Sequence, residues 1–390
     1  IVMAVPSSGL LCLKGFGLEK ICNSYTSLCS IGTVGMKGVT VGGQFGSTCT
    51  FPATNTASPS YPGGSAPYCF SGWYGYDHDA VAAGWSAGSA INIARAGMSP
   101  GGTTGNAITV AMGNRRTNSA NFATNYNNTR EYNGSSWSNA GATPFNGCAA
   151  AGAGAQNSMI AFAATKGVAG PFGQYGGTRD TIEYSGFNWS NGGSLPGYAF
   201  DVSGWGNTQN SAAGTGGYTF YSYAPFSIYT GFPNTATFEY NGSSWSNSGN
   251  ILGYFRRAAS FGSQNSAAVT GDFSGNLTNA TTKEYNGSTW SNSGGAIGSG
   301  RFGANAGGNS VNSGVLAFGS PCNLFGASVL NIDNCTRCAN AMLYNGSSWS
   351  TSCNSSCCRQ FGAGAGCKTL FTVTGGCETF PTTNTQEYIS

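Results

Sequence analysis

The chain has 390 residues and a formal net charge of +3, with 63 glycines and only 7% charged residues. Charge this sparse, with no basic run, excludes the basic surface of a nucleic-acid-binding protein. No stretch approaches the roughly 18 apolar residues of a membrane helix, so we expect no membrane insertion. The strand-sized runs between the glycines indicate an all-β protein rather than collagen or a disordered chain.

Residues 1–77 contain none of the repeated phrases found later, so we predict two domains, 1–77 and 78–390. The first segment carries Val-Pro-Ser-Ser-Gly at residues 5–9, Ser-Pro-Ser-Tyr-Pro at 58–62 and an aromatic run at 66–75. It resembles the N-terminal segments of bacteriophage tail-fibre and related virion proteins, which join a distal module to the particle. The resemblance implies that residues 1–77 form a virion-attachment domain.

A phrase close to Glu-Tyr-Asn-Gly-Ser-Ser-Trp recurs in the second domain. Its copies end at Trp137, Trp189, Trp245, Trp290 and Trp349. Asn-Gly between aromatic residues is a hairpin signal, because these residues accept the positive φ angles of the turn. The spacing of about 50 residues is that of kelch-type propellers, in which one repeat forms a four-stranded blade. The repeats also resemble kelch-like arrays of some phage structural proteins.

Two incomplete copies of the phrase lie at the ends of the repeat region. Trp85 has no Glu-Tyr before it, and Glu387 and Tyr388 have no tryptophan after them. The two fragments complete one blade if the N-terminal strand pairs with the C-terminal strand, which leaves no open sheet edge. We therefore predict a six-bladed kelch-like β-propeller closed by this pairing, with small-residue blocks at 152–162 and 257–271 as inner strands.

Several charged residues recur once per repeat. Glu131, Glu183, Glu239, Glu284 and Glu387 occupy one blade position, and Arg95, Arg257, Arg301 and Arg359 each follow a tryptophan by about ten residues. A ring distributes such a position around its axis instead of gathering the copies at one substrate. We therefore predict a structural role, for the glutamates in hairpin pairing.

The fourteen cysteines are too many for a typical reduced cytosolic protein, which favours disulfides. The candidates are Cys12, Cys22, Cys29, Cys49, Cys69, Cys148, Cys322, Cys335, Cys338, Cys353, Cys357, Cys358, Cys367 and Cys377. Zinc is an alternative, since Cys335 and Cys338 have metal-ligand spacing, although no histidine accompanies them. Free buried thiols are a third reading.

Catalytic groups are scarce. His78 is the only histidine, whereas a copper oxidase resembling galactose oxidase needs two. Glycosidases require paired carboxylates, and the acidic residues outside the repeated position form no motif. We expect no enzymatic activity, no cofactor and no metal.

One loop segment, residues 217–232, is unusually aromatic and does not repeat. It contains Tyr218, Phe220, Tyr221, Tyr223, Phe226, Tyr229 and Phe232. Aromatic faces with hydroxyl tips suit sugars or a protein partner, so we hypothesise a receptor or subunit contact. The alternative is that these rings pack within the sheet or against a neighbouring subunit.

These observations together predict a non-enzymatic phage virion protein, a tail fibre, adhesin or decoration on the virion surface. Residues 1–77 would bind other virion proteins, the propeller would present itself to a host-surface glycan or protein, and we expect a homo-oligomer. The alternatives are a secreted kelch-like glycan-binding adhesin of a cell and, third, a propeller glycoside hydrolase.

Overall fold

A computed structural model describes residues 82–115, 124–166, 176–221, 230–274, 277–321, 338–377 and 381–390. Every regular element in these ranges is a β-strand, and they contain no helix that could cross a membrane. Six four-stranded antiparallel sheets form the blades of a propeller that spans Gly84–Ile389. The predicted all-β class and blade number are confirmed. The predicted attachment domain and His78 lie outside the described residues.

In each of the first five blades, the four strands follow one another along the chain from the innermost to the outermost, with only short loop strands between them. Blade 1 contains Ser99–Thr104, Ala107–Ala111, Thr129–Tyr132 and Trp137–Ala140; blade 2 contains Ala151–Ala155, Ser158–Phe162, Thr181–Tyr184 and Trp189–Asn191; blade 3 contains Ser203–Thr208, Ser211–Thr215, Ala236–Tyr240 and Trp245–Asn250; blade 4 contains Ala259–Ser263, Ser266–Ser274, Leu277–Tyr285 and Trp290–Ala296; blade 5 contains Asn305–Ser310, Ser313–Ala317, Asn340–Tyr344 and Trp349–Asn354. The predicted inner strands therefore lie at the axis.

Blade 6 closes the ring with strands from both ends of the propeller. Its inner three strands are Ala363–Gly366, Leu370–Thr374 and Thr385–Ile389, and its outermost strand is Gly84–Gly88. Trp85 pairs with Tyr388, as Trp137 pairs with Tyr132 in blade 1. The innermost strand of each blade contacts that of the next, including blade 6 with blade 1. The predicted closure by N- and C-terminal strands is confirmed.

The asparagine of the repeated phrase stabilises the hairpin turn in blades 1, 3, 4 and 5, whereas blade 2 has Ser185 there, whose Oγ accepts a hydrogen bond from the N–H of Asn188 at 3.4 Å. In blade 1 the Oδ1 atom of Asn133 accepts hydrogen bonds from the backbone N–H groups of Ser135, at 3.0 Å, and Ser136, at 2.8 Å. Gly134 has φ of +88°, whereas Asn133 is not in the positive-φ region. The sequence interpretation that both residues take positive φ is therefore wrong, because the asparagine acts through its side chain. Asn241, Asn286 and Asn345 make the same bonds.

The repeated glutamate joins neighbouring blades. The tyrosine hydroxyl of one phrase donates a hydrogen bond to the glutamate of the preceding blade. These Tyr–Glu clamps join Tyr132 to Glu387 (2.7 Å), Tyr184 to Glu131 (2.9 Å), Tyr240 to Glu183 (2.7 Å), Tyr285 to Glu239 (2.8 Å) and Tyr344 to Glu284 (2.7 Å). The structural role is as predicted, but these bonds run between blades and not within one hairpin.

The tryptophans make a second bond across the same interfaces. Each indole Nε1–H donates to a threonine hydroxyl of the preceding blade: Trp137 to Thr385 (3.2 Å), Trp189 to Thr129 (2.8 Å), Trp245 to Thr181 (2.8 Å), Trp290 to Thr237 (2.8 Å) and Trp349 to Thr282 (2.8 Å). Apolar packing surrounds these bonds, as where the rings of Phe162 and Trp245 lie 4.7 Å apart between blades 2 and 3. The core thus lies between blades.

The interface between blades 5 and 6 lacks both polar clamps. Blade 5 has Ala341 and Leu343 where the other blades have threonine and glutamate. Instead, the Nε1–H of Trp85 donates to the carbonyl oxygen of Cys353 at 3.3 Å, and its ring lies 5.1 Å from that of Phe318. A hydrogen bond of 2.6 Å between the hydroxyls of Tyr388 and Ser352 and apolar packing complete this seam.

Three of the four recurring arginines are buried and act as scaffold. Arg95 donates from Nη1 to the carbonyl oxygen of Met112 at 2.9 Å, and Arg301 and Arg359 make equivalent bonds to Phe318 and Gly375. Burial lowers the pKa of Arg95 to about 10. These guanidinium groups hold the chain where it leaves the second strand of a blade, as their regular spacing suggested. The fourth, Arg257, belongs to a different site.

Candidate functional site

A ring of left-handed residues surrounds the propeller axis at one end. The axial ring contains one residue from each blade, two positions before its innermost strand: Gly97, Ala149, Asp201, Arg257, Gly303 and Phe361, with φ between 53° and 64°. Five of the six backbone N–H groups donate to the carbonyl oxygen of the ring residue in the preceding blade, at 2.8 to 3.4 Å. Four members carry side chains where glycine is favoured, a strained conformation that often marks functional sites.

Asp201, a buried member of the axial ring, forms ion pairs with Arg257 of the same ring and with the neighbouring Arg256. Oδ1 of Asp201 lies 2.8 Å from Nε of Arg257, and its Oδ2 lies 2.7 Å from Nε of Arg256. Burial alone would raise the pKa of Asp201, but Arg257 and Arg256 outweigh it and hold that pKa below its ordinary value. Asp201 therefore stays ionised, with its Oδ2 hydrogen-bonded to Arg256 and its Oδ1 in ion-pair contact with Arg257, and it is not available as a general acid.

Both arginines also lie over aromatic rings. The guanidinium carbon of Arg256 is 4.8 Å from the centre of the Tyr218 ring and 5.7 Å from that of Phe200. The guanidinium of Arg257 lies 4.7 Å from the ring of Phe361 across the mouth of the axis. Cation–π contacts of this kind fix the orientation of the side chains. The end of the channel at the axial ring thus combines charged groups with aromatic rings.

The axial ring borders a cavity of about 240 Å³ that includes Cys148 in its wall. A second cavity of about 170 Å³ continues along the innermost strands and shares Ala150, Val202 and Ala258 with the first. Burial raises the pKa of Cys148 to about 12, so its thiol is protonated at neutral pH and is a poor nucleophile. The cavities suit binding of a small group better than covalent chemistry.

Two asparagines cross the far end of the axial channel. Asn207 donates from Nδ2 to the carbonyl oxygen of Asn309 at 3.1 Å, and Asn309 donates from Nδ2 to that of Thr103 at 3.0 Å. These residues belong to blades 3, 5 and 1, so the bonds join alternate blades across the axis. These bonds therefore cross the channel at this end, and the axial ring forms the entrance at the other end.

The aromatic segment proposed as a binding loop lies on the same end as the axial ring. Tyr218–Tyr221 pairs with Thr230–Pro233 as a hairpin between the second and third strands of blade 3. This places the backbones of Phe220, Tyr221 and Phe232 in the hairpin, whereas Tyr223, Phe226 and Tyr229 lie outside the described residues. We call this end of the propeller the loop face and the end with the Asn-Gly turns the turn face.

The described cysteines do not support the disulfide prediction. No disulfide joins any two of Cys148, Cys338, Cys353, Cys357, Cys358, Cys367 and Cys377. The remaining candidates, Cys12, Cys22, Cys29, Cys49, Cys69, Cys322 and Cys335, lie outside the described residues. Within the described ranges, no three His, Cys, Asp or Glu side chains lie close enough together to hold a metal ion.

Sequence reasoning missed the ion pair at the axial ring. Asp201 stood in no motif, and Arg257 was grouped with the scaffold arginines. The two residues occupy the same position in adjacent repeats, where blades 1 and 2 place Gly97 and Ala149. Alignment of the repeats on this position would have revealed opposite charges in neighbouring blades.

Comparisons with known proteins support the fold. No protein-family model and no curated protein matches the sequence. Among solved structures, the chain is similar to one described as "Structure of YjhT", with a TM-score of 0.57 and 15% sequence identity over 76% of this chain and 95% of that chain. At this identity the likeness shows a shared propeller fold alone. It does not test the kelch or phage resemblance.

Proposed function

We propose that this protein is a non-enzymatic component of a phage virion that uses the loop face of its kelch-like propeller for binding. Residues 1–77 attach it to other virion proteins, and the propeller faces a host surface or another subunit. The observation that supports a binding role is that the carboxylates named above are already engaged by other side chains. Those repeated around the ring accept hydrogen bonds from tyrosines, and Asp201 is held between two arginines.

This arrangement favours binding over hydrolysis. Glycoside hydrolysis needs two carboxyl groups that flank one bond, and one of them must carry a proton at working pH. Among the described residues that line the entrance cavity, Asp201 is the only carboxylate, and its lowered pKa keeps it ionised. The entrance therefore lacks the acid that such a mechanism requires.

The virion assignment rests on the resemblance of residues 1–77 and of the repeats to phage structural proteins. It is tested by gradient purification of particles from an infected lysate, with the chain followed by mass spectrometry. We expect it to sediment with the particles and to be accessible to antibody on their surface. A chain that is abundant in the lysate but stays at the top of the gradient would refute the assignment.

The non-enzymatic role has a separate test. The purified full-length protein is incubated with a panel of polysaccharides, and new reducing ends are measured. We expect none above the level of a heat-denatured control. Sustained hydrolysis that is lost on substitution of a single carboxylate would establish the hydrolase alternative instead.

A further inference from the structure

We propose that the loop face carries a binding site for a neutral carbohydrate on blades 2 to 4, beside the axial ring. This inference rests on the proposed binding function and names its ligand class. We call the site the loop-face patch, and its residues are Tyr198, Phe200, Tyr218, Leu252, Tyr254 and Arg256.

The first observation is that three large apolar side chains of the patch are exposed to solvent. Tyr198 is 57% exposed, Leu252 48% and Tyr254 54%, and these are three of the five large apolar side chains that are highly exposed among the described residues. All three lie in the two connections that lead into the innermost strands of blades 3 and 4. Three exposed apolar side chains on two neighbouring connections indicate an interaction site.

The second observation is that the tyrosines do not belong to the repeat. Tyr198 lies three residues before Asp201, and Tyr254 lies three residues before Arg257. The same position in the other four blades is occupied by Ala94, Asn146, Gly300 and Cys358. A scaffold role would recur around the ring, as the Tyr–Glu clamp does. The two tyrosines therefore serve something local to this sector.

The third observation is that a hairpin brings the parts together. Phe200 and Tyr218 exchange backbone hydrogen bonds of 3.2 and 3.0 Å, and their rings lie 5.7 Å apart. On the other side, the N–H of Gly217 donates to the carbonyl oxygen of Phe255 at 2.6 Å. The chain at Gly217 and Tyr218 thus joins the segment that carries Tyr198 to the segment that carries Tyr254.

The one charged side chain of the patch, Arg256, is engaged within the protein, which favours a neutral ligand over an anionic one. The guanidinium of Arg256 is paired with Asp201 and covered by the rings of Tyr218 and Phe200. The patch itself contains no carboxylate. Its exposed polar groups include the hydroxyls of Tyr198 and Tyr254. Rigid aromatic faces with hydroxyl tips complement a sugar ring, which has an apolar C–H face and a polar rim.

The size of the patch favours an oligosaccharide over a protein. Aromatic side chains offer about 150 to 250 Å² each, so the three exposed side chains present about 300 Å² at their measured exposures. A specific protein interface buries about 800 Å² on each partner. These three side chains alone present less than half of that area, which is enough to contact a few sugar rings.

The test is affinity electrophoresis of the full-length protein in native gels that contain dextran, amylopectin, mannan or galactomannan, with alginate and heparin as anionic probes. We expect at least one neutral polysaccharide to retard the protein. The double variant Tyr198→Ser/Tyr254→Ser should raise the dissociation constant at least about tenfold, because two stacking faces are lost. Circular dichroism checks that the variant is folded.

Phe187→Ser is the matched control, because Phe187 is 77% exposed on the turn face of blade 2. Its dissociation constant should stay within about twofold of the parent. The proposal would be overturned if no polysaccharide retards the protein or if only the anionic ones do. It would also be overturned if the folded double variant is retarded as strongly as the parent. So would an oligomer that dissociates in the double variant, since the patch would then bind protein. None of these results affects sedimentation with virions, so failure of this inference is distinguishable from failure of the virion assignment.

Discussion

Removal of a single Tyr–Glu clamp should measurably weaken the ring. Tyr184→Phe deletes the hydroxyl that donates to Glu131 at 2.9 Å between blades 1 and 2, and it leaves the ring contact with Trp189 in place. Hydrogen bonds to charged groups contribute about 1.5 to 3 kcal/mol. Since Tyr184 is fully buried, we expect the free energy of unfolding to fall by about 2 kcal/mol.

A double-mutant cycle isolates this contribution. Glu131→Leu reproduces the residue that blade 5 has at Leu343, and the double variant combines both changes. Urea unfolding of the four proteins, followed by near-ultraviolet circular dichroism, should give a coupling energy of about 1.5 kcal/mol. The natural control is Tyr388→Phe, because the hydroxyl of Tyr388 bonds to that of Ser352 at 2.6 Å and not to a glutamate, and its loss should cost about 1 kcal/mol. A coupling energy below about 0.3 kcal/mol would refute the clamp.

The clamps also predict how stability depends on alkaline pH. Burial, followed by the hydrogen bond to glutamate, raises the pKa of Tyr132 and Tyr240 to about 12, against about 10 in an unfolded chain. Between these values the folded state holds more protons than the unfolded state, so the free energy of unfolding falls as the pH rises. The contribution is complete below about pH 10 and is lost towards about pH 12. A free energy of unfolding that stays constant across this window would contradict the mechanism.

Three further changes test other parts of the structure. Trp85→Ala removes the indole that packs on Tyr388 in the closing strand, and thermal unfolding should show a loss of about 3 kcal/mol; an unchanged midpoint would argue against closure by this strand. Asp201→Asn leaves two guanidinium groups without a carboxylate and should cost about 3 kcal/mol at neutral pH. Because the folded pKa of Asp201 is lowered, the advantage of the parent protein is complete above about pH 4 and declines as the pH falls further, so urea titrations should give a smaller difference at pH 3 than at pH 7. Alkylation in denaturant before reduction should modify Cys148 and Cys367, and protection of either would restore the disulfide reading.

The fold could be predicted from the sequence because its signals are local and repeated. Asn-Gly between aromatic residues marks a hairpin wherever it occurs, and the incomplete copies at Trp85 and Tyr388 revealed how the ring closes. The partner of each repeated glutamate could not be predicted in this way. It lies in the next blade, 46 to 60 residues away for four of the glutamates and 255 residues away for Glu387, so it depends on how the blades stack.

The candidate site could be predicted only in part from the sequence, for a related reason. Tyr218 was identified because aromatic residues crowd its segment, whereas Tyr198 and Tyr254 stand alone in the sequence. Asp201 and Arg257 become neighbours only when blades 3 and 4 pack side by side at the axis. Exposure and contacts across blades, which composition does not report, distinguish these residues from the scaffold.

The central claim is that repeated residues build the ring and that non-repeated residues of the loop face bind the ligand. Hydrogen–deuterium exchange of the full-length protein, with and without the polysaccharide that retards it most in the gel assay, tests this claim most directly. We predict slower exchange on binding in residues 198–200, 217–221 and 251–257, with no change at the Asn-Gly turns. Protection confined to the turn face, for example around Asn133 and Asn241, would contradict the account.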